Sequence, residues 1–128
     1  MNTGRDPFPP DFSSIAEILP YHRRERGEKV ALRFPPDGER TYAGLEEDAR
    51  RFSAFLKSRG IGPGKRVAIL LPNVPEFVIA YFGTISASAI AVPVNYRLSP
   101  PEIGYILSDC SVSALVTTGE QFAKVFPR

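Results

Sequence analysis

The chain of 128 residues has a single cysteine, Cys110, a single histidine, His22, and no tryptophan. One cysteine closes no internal disulfide, and one Cys with one His falls short of the ligands a zinc ion needs. A thiol nucleophile needs an activating partner, and nothing beyond the existence of both residues links Cys110 to His22. Cys110 is therefore expected as a small buried apolar residue at a helix end. A chain without disulfides fits a reducing compartment, so the expected location is cytoplasmic. An excess of charge is missing too: 16 Lys plus Arg stand against 14 Asp plus Glu, a net charge of +2. No nucleic acid partner is expected from that balance. Arg23, Arg24 and Arg26 cluster beside His22, and a solvated helix face accounts for them.

Residues 1–12 (MNTGRDPFPPDF) have no apolar run of the secretory-signal kind, and Pro7, Pro9 and Pro10 suggest an extended arm. Residues 77–94 hold eighteen positions without a charge, the lower limit of a membrane-spanning helix. Gly83, Thr84, Ser86, Ser88 and Pro93 interrupt that stretch, and its last five residues favour a strand. A buried helix followed by a buried strand is expected there, and no transmembrane segment. With 43% hydrophobic and 23% charged residues, the composition is that of an ordinary globular protein, long enough for one core.

Several elements follow from pattern. Ser14 and Glu17 have capping-box spacing, and Ile15, Ile18, Leu19 and His22 then share one helical face, with Gly27 as the stop. Residues 29–34 (KVALRF) suit a strand, and Pro35, Pro36, Asp37 and Gly38 the turn of a hairpin returning through Arg40 and Thr41. Thr41 suits an N-cap. Behind it Tyr42, Leu45, Ala49, Phe52 and Leu56 form a stripe, acids Glu46, Glu47 and Asp48 lie near the helix start, and Lys57 and Arg59 lie near its end. Gly60 stops it.

Residues 66–71 (RVAILL), 90–94 (IAVPV) and 113–117 (SALVT) are unalternating aliphatic runs, as in parallel strands covered on both faces. An apolar helix over 75–86 separates the first two. Between the second pair, Ser99 and Glu102 bracket two prolines in a second capping box, opening a helix whose buried stripe is Ile103, Ile106, Leu107 and Cys110. A further helix starts near Glu120. The expected fold class is α/β: a βαβαβ parallel half-sheet with covering helices, preceded by a helix and a β-hairpin.

Two glycine-bearing segments invite comparison with phosphate loops. Gly60, Gly62, Gly64 and Lys65 lie after a helix and before a strand, the reverse of the order in which backbone N–H groups and a helix N-terminus converge on an anion. A helix cap and a tight turn explain them. Thr117, Thr118 and Gly119 follow a strand, but Glu120 comes next where a phosphate would sit. Carboxylates are scattered over helix surfaces, and no serine occupies a nucleophile elbow. No catalytic, cofactor-binding or metal residue is therefore assigned.

Residues 41–118 nevertheless resemble the start of an adenylate-forming (AMP-binding) enzyme, of the branch containing fatty acyl-CoA synthetases, 4-coumarate:CoA ligases and luciferases. The carrying pieces are TYAGL, then SRGIGPGKRVAILLPNVPEFVIAYFGTISASAIAVPVNYRLSPPEIGYILSDC over 58–110, then SALVTT. They match the family's opening T-Y-x-E-L, its G-(V/I)-x-x-G-D-x-V-A, N-x-x-(E/Q)-(F/W), K-A-G-A and V-P-(L/V)-N steps, and a helix ending in (I/L)-x-D-(S/C). Gly44 stands where the family usually has Glu, Lys65 where Asp is common, and Ser86 and Ser88 where the lysine and glycine of K-A-G fall.

The resemblance implies a parent enzyme using ATP, magnesium and coenzyme A. A carboxylate, expected to be a fatty acid, attacks the α-phosphate to give an acyl-adenylate and pyrophosphate, and coenzyme A then displaces AMP. The family's phosphate loop, its aromatic-Gly-x-Thr-Glu segment, its ribose-binding aspartate and its mobile lysine all lie beyond the matched region. On this resemblance residues 13–128 form an incomplete N-terminal subdomain, expected to be inactive and to bind no cofactor alone. Its uncovered apolar surface is expected to promote self-association. Two other accounts stay open: a self-contained non-catalytic α/β module, and a membrane-anchored peptide using residues 77–94.

Overall fold

The computed structural model describes residues 12–127, so the arm expected over 1–12 lies, but for Phe12, outside the described residues. The elements follow in the order α1 (Ile18–Arg26), β1 (Val30–Phe34), β2 (Gly38–Thr41), α2 (Tyr42–Ser58), β3 (Arg66–Leu70), α3 (Pro75–Ser86), β4 (Ile90–Pro93), α4 (Pro100–Asp109), β5 (Ala114–Thr117) and α5 (Gly119–Val125), with a 3₁₀ turn over Ile15–Glu17 ahead of α1. β1 and β2 form an antiparallel hairpin, and β3, β4 and β5 a parallel sheet in the order β4-β3-β5. The expected βαβαβ unit is present.

The central strand explains why its sequence does not alternate. Val67, Ala68, Ile69 and Leu70 are all completely buried, because both faces of β3 are covered. On one face Ala68 and Leu70 pack against Ile103 and Leu107 of α4, with Val125 of α5 at the margin. On the other, Val67 and Ile69 meet Leu56 and Phe52 of α2 and Ala80 and Phe77 of α3. Each large aliphatic side chain buried this way contributes about 1.5–3 kcal/mol. A third cluster, Leu19, Leu45 and Ala49, seats α1 and the hairpin on the outside of α2 and α3. The apolar run over 77–94 divides into α3 and β4 as expected, but β4 is an edge strand with Ile90 and Pro93 exposed instead of the buried strand expected, and among the described residues no helix is long and apolar enough to cross a membrane.

Local rules set the ends of these elements. Thr41 Oγ1 accepts from Gly44 N at 3.0 Å and opens α2. The capping box of α4 is complete, with Glu102 N donating to Ser99 Oγ and Ser99 N donating to Glu102 Oε2. At the end of α2, Gly60 N donates to Lys57 O at 3.0 Å and Ile61 N to Leu56 O at 2.9 Å, with Gly60 at φ +74°. That is the Schellman pattern, and Ile61 and Leu56 add its apolar contact. α3 and α4 close in the same way, but through serines: Ser88 at φ +63° and Ser111 at φ +50°.

Two expectations at the amino-terminal side need correction, the capping box and the helical stripe, while Gly27 stops α1 as expected. Ser14 and Glu17 do not form a reciprocal box: Ser14 Oγ accepts from Ala16 N at 3.1 Å, and the Glu17 carboxylate accepts from Ser13 N and Ser13 Oγ, both at 2.9 Å. Pro20 supplies the reason. It has no N–H to donate four residues back, and the residues ahead of it bond three back instead, Glu17 N to Ser14 O and Ile18 N to Ile15 O, so the first turn is 3₁₀ and the α-helix begins at Ile18. The change of period also breaks the stripe: Leu19 is buried while Ile15 is 45% exposed. Gly27 ends α1 without a left-handed conformation, at φ −55°. It is needed for space, since a Cβ there would sit 2.7 Å from Arg23 O, and the Gly27 carbonyl accepts from Ala43 N at 3.0 Å.

The charged helix faces also differ from expectation. Glu46 and Glu47 lie beyond the first turn of α2, away from its dipole end. Arg23 instead pairs with Glu46 and, at 3.5 Å, with Glu47, tying α1 to α2. Glu47 also takes Arg50 and, at 3.2 Å, Arg51, and the Arg50 hydrogen bond chiefly holds its carboxyl below the ordinary range.

Candidate functional site

In an open parallel sheet, a ligand crevice forms outside the carboxyl ends of the strands where the connections diverge to opposite faces. Among the described residues β3 has such a place on each side, because its connection to α3 goes to the opposite face from those of β4 and β5, and the one against β5 has the larger set of polar side chains around it. β3 leaves through Leu71, Pro72 and Asn73 into α3, which covers the face of Ile69. β5 leaves through Thr118 into α5, which reaches the face of Leu70 through Val125. β3 and β5 are hydrogen-bonded neighbours, so the two loops part between them. Beside the first loop, Leu32, Arg33 and Phe34 of the hairpin and Asn73, Val74, Pro75, Phe77 and Val78 enclose a cleft of about 240 Å³.

The residues at these strand ends are neutral and hydrogen-bonding. Asn73 is exposed. Thr118 Oγ1 is committed to capping α5, accepting from Gln121 N at 3.1 Å. Thr117 Oγ1 is buried and finds no hydrogen-bond partner among the described residues. At the end of β4, Asn95 Oδ1 accepts from Arg97 N at 2.9 Å, and the Arg97 guanidinium lies 5.8 Å from the Tyr96 ring centroid. No group of three or more potential metal ligands occurs among the described residues. This donor set does not fit a magnesium–triphosphate, which takes carboxylate oxygens on the metal and cationic or clustered N–H donors on the phosphates.

Perturbed ionisation lies elsewhere. Glu17 is held low by the Ser13 hydrogen bonds, and His22 is pushed down by partial burial and by the charges of Arg26 and Lys29. Both belong to the outer α1 layer, where His22 lies between the Tyr21 and Tyr42 rings at 5.0 Å from each. Cys110 sits half-buried at the C-cap of α4, its carbonyl accepting from Arg66 Nη1 at 3.0 Å. The two glycine-bearing segments have the roles expected of them, with Gly60 and Gly64 at positive φ around a helix end and turn, and Thr118 as a helix cap. Sequence pattern did not point to the crevice itself, because strand order is needed to find it.

A parallel α/β sheet with an outer helix–hairpin layer is the fold that the solved N-terminal domains of acyl-CoA ligases share with this chain. The chain belongs to the family described as AMP-binding enzyme, whose model matches residues 20–127. Over 89 residues it is 43% identical to the long-chain-fatty-acid–CoA ligase FadD13 of Mycobacterium tuberculosis, covering 70% of this chain and 18% of that protein. Over 98 residues it is 41% identical to the crotonobetaine/carnitine–CoA ligase of Salmonella typhimurium, covering 73% of this chain and 19% of the relative. Among solved structures, the anthranilate CoA ligase AuaEII in complex with anthranoyl-AMP superposes with a TM-score of 0.82 at 32% identity, over 92% of this chain and 22% of that one. The N-terminal domain of FACL13 from Mycobacterium tuberculosis gives a TM-score of 0.82 at 33% identity, over 89% and 29%. The chain thus spans about a fifth of the length of the curated relatives it matches.

Proposed function

We propose that this chain supplies the N-terminal scaffold of a cytoplasmic acid–thiol ligase, which uses ATP and magnesium to convert a fatty acid to its acyl-adenylate and passes the acyl group to coenzyme A. The observation that carries this is the superposition on a CoA ligase holding an acyl-adenylate, together with the mycobacterial fatty-acid ligase as a relative. The chain's contribution is architectural. β3 and its two covering layers fix the wall of the switch-point crevice, and the neutral rim of Asn73, Thr117 and Thr118 leaves phosphate and metal to other residues.

Alone, the 128 residues neither adenylate nor bind the nucleotide, and they self-associate through apolar surface that further chain covers in a whole ligase. Phe55, Phe122 and Phe126, each about half exposed, support the second part. Two assays test the reading. Pyrophosphate release from ATP, magnesium and fatty acids is expected to stay at the blank rate for the isolated chain, and any turnover by it sinks the inactive-scaffold part. A chimera of the mycobacterial ligase carrying this chain's segment is expected to keep fatty-acid activity. A folded, inactive chimera sinks the scaffold role.

A further inference from the structure

The two edges of the three-stranded sheet differ in what they offer a partner. On β4 the amides of Ile90 and Val94 donate inward to Lys65 O and Ile69 O, at 2.8 and 2.9 Å. The alternate residues, Ala91 and Pro93, therefore turn their backbone groups outward. Proline has no N–H, so this edge lacks a donor where a further strand needs one.

β5 has no such block. The carbonyls of Lys65 and Ile69 go to β4, while Arg66 O accepts from Ser113 N at 2.7 Å, so the even-numbered residues of β3 face β5. Ala68 and Leu70 stand opposite Leu115 and Thr117. In a parallel ladder, such a residue bonds the neighbours flanking its partner, which leaves Leu115 and Thr117 with N–H and C=O directed away from the sheet. Residues 110–119 (CSVSALVTTG) contain neither charge nor proline, the composition of a pairing-prone edge. The helices beside it carry exposed rings. α2 reaches β5 through Phe52 and leaves Phe55 51% exposed, and α5 leaves Phe122 and Phe126, tilted by 39° with centroids 5.0 Å apart, open to solvent.

We propose that the outer edge of β5 pairs with β5 of a second copy of this chain, antiparallel about a two-fold axis at Val116; this rests on the self-association proposed above and names its surface. Leu115 of one copy then stands opposite Thr117 of the other, and each such pair exchanges both N–H···O bonds. The occupant is a second copy because the edge is self-complementary: each outward residue turns a donor and an acceptor that no other described strand meets, and residues 110–119 carry no side-chain charge to repel their like. Pairing of β5 with the β4 edge of another molecule would propagate into a filament, and Pro93 opposes it, so the assembly closes as a dimer.

Sedimentation of the 128-residue chain over a concentration series, with amide hydrogen exchange at both ends of that series, tests the proposal. The expected mass doubles with concentration, and exchange at Leu115 and Thr117 slows in step. Thr117→Pro, which removes an outward N–H and a hydroxyl that makes no hydrogen bond among the described residues, is expected to stay at monomer mass with unchanged far-UV circular dichroism. Pro93→Thr is expected to add species larger than a dimer. A wild-type mass that never rises overturns both the self-association and this surface. A mass that doubles while Leu115 and Thr117 exchange equally fast at both concentrations overturns β5 pairing alone, whether or not Thr117→Pro folds.

Discussion

A methyl group placed on Gly83 of α3 would lie 2.8 Å from the carbonyl oxygen of Ala49 on α2 and equally close to the Phe52 ring. The two helices that cover one face of the sheet cross at this glycine, and the backbone on the other side cannot retreat without lifting Phe52 off Ile69 and Val67. Gly83→Ala is expected to destabilise the chain by about 1–3 kcal/mol, the cost of overpacking a filled core. A urea midpoint equal to wild type would show that the crossing has slack.

Ser88 is the opposite case. It occupies φ +63° at the end of α3, exposed to solvent, where the family pattern has glycine. A side chain in the left-handed region costs roughly 1–2 kcal/mol. Ser88→Gly is expected to raise stability by about 1 kcal/mol, seen as a higher urea midpoint at unchanged slope. No gain, or a loss, would mean that the serine hydroxyl repays the strain.

Ser99→Ala removes one half of the capping box on α4. Both of its hydrogen bonds are long, 3.4 Å, so the expected loss is at the lower end of the usual range, about 0.5–1 kcal/mol. Thermal unfolding of the two proteins side by side measures it, and a loss of several kcal/mol would show that Ser99 does more than cap.

The outer layer should make stability depend on pH. The His22 pKa lies below the usual imidazole value of 6.5 in the folded chain, so the unfolded state binds more protons as pH falls through that value. The neutral ring therefore contributes stability above pH 6.5, which is lost as pH drops toward the folded pKa. Melts at about pH 7.5 and about pH 5.5 are expected to differ for wild type and to differ less for His22→Gln. Glu17 and Glu47, both held below 4.5, act in the same direction only in stronger acid. Equal pH sensitivity in the variant would remove His22 from the account.

The sheet and its helices were legible in the sequence because each rests on a local or short-period rule. α3 has the expected bounds, the capping box of α4 is where Ser99 and Glu102 placed it, and β3 is buried on both faces as its unalternating run implied. The errors collect around α1, where Pro20 changes the first turn and where Arg23 is captured by acids on a different helix, a contact that spacing along one element cannot reveal. The crevice was out of reach for a related reason. Strand order and the side on which each helix returns are tertiary facts, and Thr117 looks like any strand threonine until its hydroxyl is found buried without a partner among the described residues.

Leu19 is the one residue of α1 that is buried. A nine-residue helix with one buried side chain, held otherwise by the His22–Tyr42 contact, the Arg23 ion pairs and the Gly27–Ala43 hydrogen bond at its rim, can swing away while the strands beneath keep their places. Proteases should find that hinge first, and removing α1 by a single cut near Gly27 should leave behind a smaller particle that still melts as one unit.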